Sequence, residues 1–191
     1  VAFGTISRLL RSPFLGDSLA EFSAREALDW ALARQAPATT TLEGLRRLIR
    51  RVREPGRGPR PEACPRLEAR LEALASRSRE FQGARDAATW ARIFSESLSA
   101  AGFPGERVLD SAQYQALEKW HATLAEFAAL ERVAGPMSFR EARARLEALA
   151  MTTLFQPQAA DEPVQVLGIL ESAGLGFDHL WVMGLTDEAW P

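Results

Sequence analysis

Small polar residues followed three positions later by an acid or amide recur along this chain, close to apolar residues at helical spacing. Such a pair satisfies the free backbone N–H groups at a helix start, so each occurrence commits the segment after it to helix. Four are read: Ser23 with Glu26, Thr40 with Glu43, Asp110 with Gln113, and Ser138 with Glu141. Apolar stripes at three- and four-residue spacing support the assignment. They run through Leu67, Leu71 and Leu74, through Trp90, Ile93, Phe94 and Leu98, through Leu117, Trp120, Leu124 and Phe127, and through Phe139, Ala142, Leu146 and Leu149. Stripes of this kind are expected to be core. The pattern predicts a mainly α protein, a bundle of roughly seven helices over residues 1–158.

Breakers separate the helices at Arg11–Phe14, Gly102–Gly105 and Gly135–Pro136. Between Glu54 and Pro61 stand three Pro and two Gly in eight residues, which excludes helix or strand interior there. That stretch is expected to be a flexible linker inside the helical domain. No fixed-period repeat is visible. With 191 residues, 47% of them apolar, there is enough chain for a full core and for one or two domains. No apolar run reaches membrane-spanning length, so no membrane is expected among the partners. Cys64 is the sole cysteine, which removes any internal disulfide and suits a reducing cytoplasm.

Beyond Pro157 the pattern changes. Val164–Leu170 and His179–Leu185 are apolar runs of strand length around a short Gly-containing segment, followed by an acidic turn and Trp190-Pro191. Residues 159–191 are therefore expected to form a strand, a tight turn and a strand. This order resembles the late motif of UvrD-like superfamily 1 helicases, in which a strand enters a Lys-Gly-Leu-Glu-Phe turn, a second strand follows, and the exit reads Gly-x-x-(acidic)-x-x-Pro. Gly174, Leu175, Phe177, Gly184 and Asp187–Pro191 match its frame.

The polar residues of the motif are missing. Gly168 stands where the family has Thr, Leu170 where it has His, Ala173 where it has Lys and Gly176 where it has Glu. The whole resembles the degenerate helicase-like module of AddB-type subunits. It is more similar still to AddB/RecB-like bacterial DNA repair proteins, where such a module precedes a PD-(D/E)XK nuclease domain. Leu9–Gly16, Phe103–Trp120 and Phe155–Pro157 fit the same family. The resemblance implies an inactivated RecA-like α/β domain beginning near residue 159, after a helical insertion. It also implies a parent with exonuclease-type activity in DNA repair and recombination. The chain begins at Val and closes on the motif's exit, so it is expected to be a piece of that parent.

The residues bound the chemistry independently. A P-loop needs Gly-x4-Gly-Lys-Ser/Thr, but the one lysine, Lys119, stands between Glu118 and Trp120 in a helical stripe. A D/E-x-K nuclease site fails because Leu117 precedes Lys119 by two. Zinc ligation fails because Cys64, His121 and His179 lie far apart in sequence. Gly174-Leu175-Gly176 lacks the third glycine of a dinucleotide fingerprint. Neither catalytic residues nor a cofactor is expected within this stretch. Cys64 and both histidines read as structural, His121 as a partly buried helix residue.

Charge is uneven. Residues 1–60 carry eleven Arg against six acids, whereas the rest carries twelve bases against nineteen. The basic excess concentrates on a helix from about Leu42 to Arg53. Leu42, Leu45, Leu48, Ile49 and Val52 form its inner stripe, and Arg46, Arg47, Arg50, Arg51 and Arg53 fill the remainder, with Arg57 and Arg60 following in the linker. Guanidinium groups bind phosphates bidentately, so these seven arginines are the candidate DNA-backbone contacts. The competing reading is a solvated face balanced by acids such as Glu68 and Glu72.

Two functions follow from different classes. One is a non-catalytic part of a helicase/exonuclease-type protein that guides single-stranded DNA toward a nuclease site elsewhere. The other is a helical interaction module that uses the acidic C-terminal two-thirds of the chain to dock a partner subunit, such as a helicase or nuclease subunit. If the C-terminal runs are unpaired strands, their edges also invite a second copy of the chain. Sedimentation should then show self-association that is lost in a version ending near Gln158; two monomeric proteins would refute it.

Overall fold

The computed structural model describes residues 1–54, 62–157, 164–184 and 186; the linker positions 55–61 lie outside the described residues. The protein is mainly helical, with eight α-helices and one two-stranded antiparallel ladder among them. The chain divides into two units, Val1–Pro157 and Gln158–Pro191.

The first unit holds seven helices: α1 (Phe3–Leu10), α2 (Phe22–Ala33), α3 (Leu42–Val52), α4 (Pro65–Ser76), α5 (Ala87–Ala100), α6 (Ser111–Ala129) and α7 (Phe139–Thr152). Two cores fill it. Helices α1 to α4 bury Leu10, Leu28, Leu32, Ile49, Leu67 and Leu71. Helices α5 to α7 bury Trp90, Ile93, Leu124, Phe127 and Leu146. Strands β1 (Ala84–Arg85) and β2 (Met137–Ser138) pair antiparallel in front of α5 and α7. The Trp90 indole donates to the Met137 carbonyl at 2.7 Å, so the largest side chain of the second core leaves no polar atom unpaired.

Helix starts follow the capping rule at some of the expected places. Asp110 accepts from the Gln113 N–H at 2.8 Å while Gln113 accepts from the Asp110 N–H at 3.3 Å, and Ser138 and Glu141 do the same for α7. The α3 cap is displaced by one residue: Thr41, not Thr40, accepts from the Gly44 N–H at 3.1 Å. The Ser23–Glu26 pair caps nothing, because α2 begins at Phe22 with Glu21 in the cap position.

Glu21 is instead spent on another helix. Its carboxylate accepts from the backbone N–H groups of Arg66 (2.7 Å) and Leu67 (2.9 Å), the first turn of α4. The buried Arg25 guanidinium donates to the same carboxylate at 3.3 Å and to the Gly16 carbonyl at 2.7 Å. Cys64 and Pro65 cannot cap α4, so a residue 45 positions away does so. Next to it, Asp17 accepts from Arg66 at 3.2 Å and Arg70 at 3.0 Å. Burial pushes the Asp17 carboxyl up, but the hydrogen bonds from Arg70 and Arg66 outweigh it and hold its pKa below the ordinary 3.8.

The two cores meet where backbone touches backbone. The Gly16 N–H donates to the Ala101 carbonyl at 3.0 Å, and a Cβ on Gly16 would stand 2.8 Å from the Gly102 Cα. Gly102 also has φ +78, a conformation that other residues rarely adopt. Phe14 and Phe103 pack nearby with ring centroids 6.4 Å apart, and Arg107 lies 4.6 Å over the Phe14 ring. Segments 9–16 and 103–120, both drawn from the family resemblance, thus touch at their ends.

The second unit departs from the expected strand, turn and strand. Residues 164–168 have no ladder, and Ile169–Ser172 is a short helix, α8, whose Glu171 carboxylate accepts from the Gly168 N–H at 2.9 Å. Residues 175–177 and 180–184 are likewise without a ladder. An apolar run of this length suits a buried helix or a buried strand equally, and a strand forms only where another strand accepts its backbone bonds. No strand is paired with either run among the described residues. Leu180, Trp181, Val182 and Met183 are exposed, Trp181 at 92%.

Glu21→Ala should both uncap α4 and strand a buried guanidinium. Breaking such a pair costs about 3–5 kcal/mol, against a total stability on the order of 5–15 for a domain. Urea unfolding should show that loss; a change below about 1 kcal/mol would mean the network is incidental.

Candidate nucleic-acid interface

The arginine helix forms for local reasons. Thr41 caps it, Glu43 sits in its first turn, and Arg50 and Arg51 sit in its last, where cations complement the helix dipole. Leu45, Ile49 and Val52 are buried, and Leu42 and Leu48 pack on the same core. The inner stripe is as the spacing predicts.

The outer face splits into two classes. Arg46 pairs with Glu43 (2.8 Å) and with Glu72 of α4. Arg53 pairs with Glu68 of α4 and donates to the Glu62 carbonyl at 3.1 Å. These two guanidinium groups tie α3 to α4 and are four-fifths buried. Arg50 is 62% exposed and only 3.8 Å from Glu43, a loose contact in water. Arg47 and Arg51 are exposed, and neither forms an ion pair among the described residues. Arg57 and Arg60 lie outside the described residues.

Thus Arg46 and Arg53 behave as the balanced face read from Glu68 and Glu72, and Arg47, Arg50 and Arg51 remain available. The available three stand at spacings of three and one, on one flank of the helix, spread over about 6 Å of its axis. A shallow pocket between α3 and α4 is lined by Arg46, Ile49, Arg50, Glu68, Leu71 and Glu72. Its carboxylates oppose any anion there.

The degenerate motif residues form no comparable cluster. Gly168 precedes α8, Leu170 lies within it, and Ala173 and Gly174 make the turn after it, with Gly174 at φ +84. Leu170, Leu175 and Phe177 are exposed, and so is Gly176. Lys119 lies within α6, and His121, expected to be partly buried, is exposed. Cys64 is buried, and that burial pushes its thiol pKa up, away from the reactive thiolate. No group of three or more potential metal ligands occurs among the described residues. No helix among them is long and apolar enough to cross a membrane.

Sequence reasoning passed over one exposed aromatic. Trp30 lies on the outer face of α2, with the Arg34 guanidinium carbon 3.6 Å from its ring centroid. The four-residue spacing was visible as a helical pair. The spacing does not report that no other helix covers the ring, which is a property of the packed fold.

The chain matches no family model, no curated protein and no solved structure.

Reversing Arg46 or Arg53 to Glu should destabilise the protein by on the order of 1 kcal/mol each, since each would place like charges together at a partly screened site. Arg47→Glu and Arg51→Glu should stay within about 0.5 kcal/mol of the parent. Urea midpoints of the four variants test the division; equal losses would abolish it.

Proposed function

We propose that this chain is a non-catalytic part of a helicase/exonuclease-type DNA repair and recombination protein, in which it helps guide single-stranded DNA toward a nuclease domain outside the sequence described. The finer reading of its fold, a helicase-type helical insertion followed by the start of an inactivated RecA-like domain, belongs to the same proposal. Its setting would be the cytoplasm, where Cys64 stays a buried thiol. The resemblance of residues 9–16, 103–120 and 164–191 to AddB/RecB-like proteins supports this reading.

The observation that carries the DNA part is the α3 flank, where three guanidinium groups face water from a helix anchored by its other arginines. Arg46 and Arg53 hold the helix to α4 through Glu72 and Glu68. Arg47, Arg50 and Arg51 are then presented on a fixed frame. Phosphate contacts of this sort give affinity without sequence preference, which suits a path rather than a recognition site.

The interaction-module reading keeps one specific observation in its favour. Leu19 and Phe22, between α1 and the first turn of α2, are more than half exposed. DNA-independent binding to a helicase or nuclease subunit, lost on substituting those two residues, would favour it. The exposed Leu180–Met183 run would be the contact for any self-association of the chain.

Three phosphate contacts on a single strand imply a log–log salt slope of about −2, so tenfold more salt should weaken binding about 100-fold. Fluorescence anisotropy with a labelled single strand checks this. The Arg47→Glu, Arg50→Glu and Arg51→Glu triple variant should lose binding while its circular dichroism is unchanged. Unaltered affinity in that variant would return α3 to a solvated face.

A further inference from the structure

We infer that Trp30 and Arg34, at the end of α2, form a stacking platform for a base of the same single strand. The inference rests on the DNA reading above and deepens it: α3 would hold phosphates and α2 a base.

Trp30 is 54% exposed, whereas Leu28 and Leu32 on the same helix are fully buried. Its indole therefore adds little to the α1–α4 core. Arg34 lies over the ring at 3.6 Å and makes no ion pair among the described residues. A cation held on an indole in this way restricts both groups and leaves guanidinium N–H groups for an acceptor such as phosphate. An exposed indole beside an arginine is what a strand-binding surface uses, because every base has a stackable face.

The topology brings this pair toward the arginine helix. The Phe3 N–H donates to the Ala38 carbonyl (3.1 Å) and the Thr40 N–H to the Val1 carbonyl (2.9 Å), so the connection from α2 to α3 runs along the start of α1. Asp29, beside Trp30 in the chain, meets Ser7 of α1 at 2.8 Å and Arg11 just past its end at 3.3 Å. The connection from α2 to α3 therefore lies by the start of α1, and Trp30 stands one turn before it on α2. From that connection Arg47 to Arg51 lie one to three turns along α3. Of the acids near Trp30, Asp29 is held by Ser7 and Arg11, whereas Glu26, one turn earlier on the same exposed face, is the one negative charge among the described α2 residues that a phosphate there would meet.

The test compares an oligo-dT with an abasic strand of equal length and charge, using anisotropy on the full chain at low salt. The parent should bind oligo-dT more tightly. Trp30→Ala should weaken oligo-dT binding by about 5- to 150-fold and bring the two strands toward equal affinity, while Trp30→Phe keeps most of the difference. Circular dichroism confirms that the surface substitution leaves the helices intact. Equal binding of both strands by the parent overturns the platform and leaves the phosphate reading standing. A Trp30→Ala protein that still prefers oligo-dT overturns it too, and so does an equal loss on both strands. Absence of binding to either strand removes the DNA reading itself, and this inference with it.

Discussion

A carboxylate buried among helices must be surrounded by donors, and Glu21 is placed where four converge. Two are the first free N–H groups of α4 and two belong to Arg25, which also ties the Gly16 carbonyl. Removing any one member leaves another polar group in a dry place, where the penalty exceeds what the intact bond contributes. The network therefore fixes a geometry more than it adds stability. It sets the start of α4 against the start of α2, and through Gly16 it reaches the backbone contact at Gly102 that joins the two cores. Within this network, Arg25 Nη1 finds no hydrogen-bond partner among the described residues.

That geometry decides what α3 can offer. With α4 fixed, Glu68 and Glu72 stand within reach of Arg53 and Arg46, and those two arginines become struts. A helix with every arginine free would repel itself and sit loosely on its core. A helix with every arginine paired would present no positive flank. Splitting the set leaves Arg47, Arg50 and Arg51 on a positioned face, with Glu43 close enough to Arg50 to temper its charge without cancelling it.

The sequence made the helices legible where the cap and the apolar stripe belong to the same segment. Asp110 with Gln113 and Ser138 with Glu141 are of that kind, because every partner lies within one turn. Ser23 with Glu26 misled because the residue that matters, Glu21, serves a helix 45 positions away, and no local pattern reports a cap made across the fold. The sorting of the arginines was half visible. Glu68 and Glu72 were recognisable as counter-charges, yet which arginines they take depends on how α3 packs on α4. The C-terminal runs failed differently: a strand is a property of two segments, and periodicity within one cannot supply the other.

The aromatic residues divide along the same line between packing and presentation. Phe81, Trp90, Phe94, Phe127 and Phe139 interlock at ring separations of 5.1 to 6.1 Å around the second core. Their edge-to-face and offset contacts explain why α5, α6 and α7 need no ion pairs between them to hold register. Among the described residues Trp30 belongs to no such cluster, and the group over its ring is the Arg34 cation. An indole that the core does not require, beside a guanidinium with no ion pair among the described residues, is presented to solvent. Spacing alone does not separate the two groups, since whether another helix covers an aromatic ring is decided by packing across the fold.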